Sequence, residues 1–169
     1  YVSQNGDTSR FYKKDNRFFV FTNGLCGLFK EFEITHTFGW WPLQQYLVPF
    51  ENGKMQTLHM TWDSRDNKWY DMSEAVYPDE DITPDNWLYW TNQAQNWNGM
   101  CADCHSTHLQ KNYDLKTDAY QTTWSDIDVN CESCHGPGSA HLDWAKLPEM
   151  ARPQDNNTAL VVNTSDLDT

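Results

Sequence analysis

Cys101-Ala102-Asp103-Cys104-His105 and Cys131-Glu132-Ser133-Cys134-His135 are two copies of one five-residue pattern, Cys-x-x-Cys-His, thirty residues apart. This spacing is the attachment signature of c-type haem. The two cysteines form thioethers to the porphyrin vinyl groups, and the adjoining histidine is carried beneath the ring as the proximal iron ligand. Other uses of a Cys-x-x-Cys pair fit less well. In a four-thiolate zinc ribbon the interval from Cys104 to Cys131 would be long, and a histidine directly after each pair would have no role. A thioredoxin-type dithiol would be a single pair beside a βαβ pattern, and none is present. The two motifs use four of the five cysteines. The expected cofactors are therefore two covalently bound haem c groups, held by Cys101 and Cys104 with His105, and by Cys131 and Cys134 with His135.

The remaining cysteine, Cys26, lies in Asn23-Gly24-Leu25-Cys26-Gly27, a glycine-bounded turn. It is expected to be a small buried thiol, and no role is assigned to it.

Composition agrees with a haem protein. Among 169 residues only 38% are hydrophobic, yet aromatics reach 15%, with 9 tryptophans. Large rings must supply the core, and haem would complete it, so the apoprotein is expected to fold poorly. The net charge of −12 argues against nucleic acid and anionic lipid as partners and favours basic ones. No stretch approaches the ~20 apolar residues of a membrane span. Covalent haem attachment takes place outside the cytoplasm, which predicts a periplasmic or extracellular protein. The chain opens at Tyr1-Val2-Ser3-Gln4 and closes on a polar run, and it reads as a piece of something longer.

The pattern along the chain predicts an α+β protein: a small antiparallel β region over 1–76, a loop-rich, short-helix haem region over 77–150, and a polar tail or linker over 151–169. In the β region, 17–21 reads as a strand entering the turn Thr22-Asn23-Gly24. The run 31–38 alternates, placing Phe32, Ile34, His36 and Phe38 on one face. Residues 43–50, the turn Glu51-Asn52-Gly53-Lys54 and residues 55–62 read as a hairpin. That pattern leaves His59 on the more exposed face. The acidic, proline-broken stretch 77–86 marks the boundary to the haem region. Trp87, Trp90 and Trp97 recur at near-helical intervals over 86–98, consistent with a short helix that packs indoles on a porphyrin. Helix is also expected through each haem motif and over 139–146, with 112–127 mostly loop.

Two six-coordinate, bis-histidine haems need four of the six histidines, so His36, His59, His108 and His141 compete for two distal positions. His141 ranks first. It follows Gly136-Pro137-Gly138, a turn that leads away from the His135 side, so it should serve a neighbouring haem. His36, on an apolar strand face, ranks next, and His108, three residues past His105, follows it. His59 ranks last. A methionine, Met60, Met72 or Met150, is the other kind of axial ligand to consider. The histidine surplus leaves room for ligation of further haems from a missing segment or another chain.

Beyond the haem motifs, a set of segments is shared with a known family: Phe38-Gly39, Pro42-Leu43-Gln44-Gln45-Tyr46-Leu47, Asn52-Gly53-Lys54-Met55-Gln56, Trp62-Asp63-Ser64-Arg65, Tyr77-Pro78-Asp79-Glu80, Asn96-Trp97-Asn98, and residues 101–114 and 131–141. Together they resemble the bacterial multihaem c-type cytochromes whose haem domain often precedes tetratricopeptide repeats. The resemblance covers roughly residues 9–145. It implies that the Gly-Pro-Gly-x-x-His element ending at His141 supplies a distal ligand. A further Cys-x-x-Cys-His usually precedes the β region in that family, and this chain has none there, nor repeats after Ala145.

The function expected from these readings is electron transfer by a dihaem module of a larger multihaem protein or assembly. Its partners would be redox proteins, neighbouring haems and other subunits. The alternative is a multihaem oxidoreductase with one open-coordination haem acting on a small inorganic nitrogen or sulfur compound.

Overall fold

The computed structural model describes residues 1–2, 8–153 and 158–163. Its first half is antiparallel sheet. Strands β1 (Arg10–Lys14), β2 (Arg17–Asn23) and β3 (Phe29–Ile34) form a three-stranded meander. The β1–β2 link is the two-residue turn Asp15-Asn16, both with positive φ, the backbone that a tight hairpin of native twist requires. A second sheet takes β4 (His36–Phe38), β5 (Leu43–Pro49), β7 (Met60–Asp63) and β8 (Lys68–Asp71) in that order, with β6 (Met55–Thr57) also paired to β5.

Two long strands expected from alternation are each divided in two. The run 31–38 keeps its alternating burial, with Phe32 and Phe38 inward, but it changes sheets at Thr35, whose N–H donates to Leu47 O at 3.1 Å. The run 55–62 breaks at Leu58-His59, because β6 and β7 pair with different parts of β5. The break overturns the expectation for His59. Its side chain is only 9% exposed, with Nε2 3.7 Å from Asp71 Oδ2 and the ring 5.9 Å from that of Trp90.

The short helix α1 (Met72–Val76) follows the second sheet, and the chain beyond it is loop-rich. That stretch holds α2 (Trp97–Met100), the hairpin β9 (Tyr113–Asp114) and β10 (Ala119–Tyr120), α3 (Cys131–His135) and α4 (Ser139–Lys146). The fold class is thus the expected α+β mixture. The single helix expected over 86–98 does not form: the segment is a series of turns ending in a 3-10 turn, Gln93–Gln95, and α2. Its tryptophans consequently point to three different places. Trp90 enters the β core, donating Nε1–H to Asn23 O at 2.7 Å; Trp97 enters a second core; Trp87 is 62% exposed. The first haem motif is a run of turns, whereas the second is helical.

The described residues form two cores. One joins Val20, Phe32, Tyr46, Val48, Leu58, Met60, Tyr89 and Trp90. Within it burial pushes the Tyr46 phenol up to about 12, while its O–H donates to Gln44 Oε1 at 3.0 Å. The unfolded phenol ionises near pH ~10. The stabilisation from a neutral Tyr46 is therefore complete below pH ~10 and is lost as the pH rises through the folded value. Urea titrations between pH 9 and pH 11 should show stability falling with pH. The slope should be shallower in Tyr46→Phe, and an identical slope would contradict the assignment.

The second core positions the first haem motif. It joins Phe38, Leu47 and Met55 from the sheet with Trp97 and Ala102, flanked by Cys101, Leu109, Trp124 and Ile127.

Candidate haem-binding site

The first motif is anchored through buried amides. Asn98, fully buried, accepts from Met55 N–H at 2.7 Å and donates to Gly53 O at 3.3 Å and Thr122 Oγ1 at 2.8 Å. Asn96 accepts from Gly99 N–H at 2.9 Å, capping α2, and donates to Gln56 Oε1 at 3.2 Å. Gln56 in turn donates to Trp90 O and Asn92 O. A fully satisfied buried amide network specifies one register, so the turn bearing Cys101 is fixed against β6. Gly53 belongs to this joint: at φ +69°, a Cβ there would lie 2.1 Å from Tyr120 O.

From that anchor the motif projects outward. Ala102 is fully buried and Cys101 half-buried, with its sulfur 3.9 Å from Thr57 Oγ1; Cys104 and His105 are exposed. Burial pushes the Cys101 thiol up, offset in part by the Thr57 hydroxyl. The His105 ring meets Phe38 edge-on at 5.1 Å, and Trp97 meets Trp124 at 5.1 Å. The apolar wall therefore stands directly beside the His105 imidazole.

The second motif is a single turn of helix. Asn130 caps α3, its Oδ1 accepting from Glu132 N–H at 2.9 Å, and Gly136 ends it at φ +71°. A Cβ on Gly136 would press on the Val161 side chain at 3.1 Å. Glu132 Oε1 accepts from Gly138 N–H at 2.7 Å and closes the turn into α4. Cys131 and Cys134 are exposed, and none of the four motif cysteines is in a disulfide.

The tail residues 158–163 run against these two helices. His135 Nδ1 lies 2.9 Å from Val162 O, and His141 Nδ1 lies 2.6 Å from Thr158 O. A carbonyl only accepts, so each Nδ1 carries a proton, and in the neutral imidazole Nε2 keeps its lone pair. That is the tautomer and the outer hydrogen bond usual for a metal-binding histidine. His141 also stacks on Trp144 at 5.4 Å.

The other candidates are scattered. His36 is half-buried, its Nδ1 3.0 Å from Thr35 Oγ1 and its ring 5.5 Å from Trp124; burial pushes its pKa down, favouring neutral imidazole. It shares a strand face with Phe38, beside the first motif. His108, at φ +53°, points toward the second, with Nε2 4.0 Å from Glu132 Oε2. His59 stands apart in the β region. Met60 is fully buried in the first core, Met72 is half-buried at the start of α1, and Met150 is 96% exposed. Cys26 is exposed, against the expectation of a buried thiol, because its 3-10 turn lies at the surface with φ +56°.

The residues fit haem. Each motif presents two cysteines and a histidine within five residues, the donor set of one covalently held haem. Each motif also has a buried indole donor with no hydrogen-bond acceptor among the described residues. Trp97 Nε1 lies just before Cys101 in sequence, and Trp144 Nε1 belongs to the ring stacked on His141. A buried N–H left without a partner is uncommon, and an incoming group that carries carboxylates can satisfy it.

Comparison with protein families bears on the class. Residues 69–136 match the family described as cytochrome c554 and c-prime, a span from β8 to just past His135 that includes both motifs. That match supports a c-type cytochrome. It agrees with covalently bound haem c. No curated protein and no solved structure matches the chain. The site residues that sequence reading does not find are mostly polar: Asn96, Asn98, Gln56 and the carbonyls of Thr158 and Val162. The Asn96-Trp97-Asn98 triplet was visible as a shared segment, but backbone carbonyls leave no trace in a sequence.

Proposed function

We propose that this chain is an electron-transfer module carrying two haems, one on each Cys-x-x-Cys-His, as part of a larger multihaem protein or assembly. The observation that carries the reading is the pairing of His135 and His141. Both imidazoles donate Nδ1–H to a carbonyl of one tail segment and keep Nε2 for iron. Haem c, when bound, supplies an iron that cycles between ferric and ferrous states.

The chain's own residues hold that iron in place. Cys101, Cys104, Cys131 and Cys134 are the thioether positions, and His105 and His135 the proximal ligands. His141 is the first choice for a distal position, serving a neighbouring haem, followed by His36 and His108. The aromatic wall of Phe38, Trp97 and Trp124 excludes water on one side of the first motif, and a low local dielectric favours an iron centre with little reorganisation.

The net charge of −12 favours a basic redox protein as partner, alongside neighbouring haems of other subunits. A periplasmic or extracellular setting follows from where haem c is attached. Among the described residues no helix is long and apolar enough to cross a membrane.

Near-infrared magnetic circular dichroism of the ferric protein, with haem counted by intact mass, tests the reading. Two haems per chain and only bis-histidine bands are expected. A high-spin component that shifts on adding nitrite, hydroxylamine or sulfite would replace it with the oxidoreductase reading. One haem per chain would refute the dihaem count.

A further inference from the structure

Two residues beyond His105, Thr107 is fully buried in a haem region that is otherwise largely exposed. A threonine hydroxyl has one proton to donate and two lone pairs to accept with. All three are engaged. Oγ1 donates to Asp128 O at 2.7 Å, accepts from Asn130 N–H at 3.1 Å, and lies 2.7 Å from Ser133 Oγ, which must then be the donor. The Thr107 main chain is held as well: its N–H donates to Asp126 O at 2.9 Å, and its carbonyl accepts from Ser125 N–H at 3.0 Å and Ser125 Oγ at 3.1 Å.

These partners are not scattered. Asn130 is the residue that caps α3, and Ser133 sits between the two cysteines of the second motif. The Asn130 side chain is itself braced, Nδ2 donating to Asp126 Oδ2 at 2.8 Å. On the other side, the Thr107 backbone continues directly from His105, and Ser106 Oγ donates to Ala102 O at 2.6 Å inside the first motif. One hydroxyl therefore joins the end of the first motif to the start of the second, across a stretch of sequence that is mostly loop.

We infer that Thr107 is the positioning residue that sets the separation and tilt of the two haems, an inference that rests on the dihaem reading above. Its role is to position and not to ligate. Its effect is on geometry: without the hydroxyl, Asp128 O and Asn130 N–H lose a buried partner, and α3 loses the bond that seats its cap against the first motif. Electron exchange between two haems depends steeply on their separation and orientation, so this joint governs how fast the module passes an electron internally.

The test compares wild type, Thr107→Val, Thr107→Ser and Ser133→Ala as matured holoproteins. Intact mass gives the haem count, and circular dichroism in the Soret band gives the exciton couplet, whose amplitude depends on distance and angle between the two rings. Wild type should hold two haems and show a couplet. Thr107→Val should keep both haems and bis-histidine spectra but lose most of the couplet. Thr107→Ser, which restores the hydroxyl, should recover it, and Ser133→Ala, which removes one of the three bonds, should fall between. If Thr107→Val does not accumulate, Ser133→Ala and Thr107→Ser carry the comparison. An undiminished couplet in Thr107→Val or Ser133→Ala, or a two-haem wild type with no couplet, would overturn the inference. A single haem in wild type would instead refute the dihaem reading on which it stands.

Discussion

Trp97→Ala is expected to lower folding stability by about 3–5 kcal/mol, the cost of emptying the site of a fully buried large aromatic. Against the ~5–15 kcal/mol that separates most folded domains from their unfolded chains, such a loss is severe. The physical case is specific to this position. The indole is wholly inaccessible and fills the core shared by Phe38, Leu47 and Met55 with the first haem motif. The carbonyl of Trp97 also accepts from Cys101 N–H at 3.1 Å and Ala102 N–H at 2.9 Å, so collapse of the side chain's site disturbs the turn that presents the cysteines. Haem occupancy at Cys101 and Cys104 should therefore fall along with the denaturation midpoint, while the second motif keeps its haem. Trp87→Ala is the internal comparison. That indole is 62% exposed, and its loss should change stability by less than about 0.5 kcal/mol. Denaturant titrations of both variants, with haem located by peptide mass, settle the matter. Similar midpoints for the two would mean that Trp97 does not hold this core.

The second large effect is spectroscopic. His141→Ala should convert one haem, in this chain or in a neighbouring one, from low-spin to high-spin iron, an all-or-none change in near-infrared magnetic circular dichroism. Added imidazole should restore the low-spin bands by filling the vacated position. The basis is the arrangement of the ring: stacked on Trp144, with Nδ1–H committed to Thr158 O at 2.6 Å, it has one nitrogen free to bind metal. A merely structural histidine would leave the spin state untouched when removed. Unchanged spectra in the variant would strike His141 from the ligand set and pass the role to His36 or His108.

Much of this protein is legible without coordinates because its chemistry is local. Cys-x-x-Cys-His is read in five consecutive residues, since both thioethers and the proximal ligand attach to one porphyrin. The helix α4 over 139–146 and the hairpin around Glu51-Asn52-Gly53-Lys54 are likewise set by neighbours in sequence. Local rules fail in this chain where they meet a distant partner. Alternation over 55–62 placed His59 toward solvent, yet β5 pairs first with β6 and then with β7, and the switch buries the imidazole near Asp71. Helical spacing of tryptophans over 86–98 was overridden because Trp90 and Trp97 belong to different cores.

What the sequence by itself determined is the kinship with c-type cytochromes and the mixed α+β character, both properties of short windows. Only the tertiary structure decided how the two motifs stand relative to each other and to the sheet. That arrangement rests on Thr107 meeting Asn130 and Ser133, on Asn98 meeting Met55, and on the carbonyls of Thr158 and Val162 meeting two imidazoles. Each is a hydrogen bond whose partners are brought together by the whole fold, and a hydroxyl, an amide or a backbone carbonyl has too many possible partners for sequence order to choose among them.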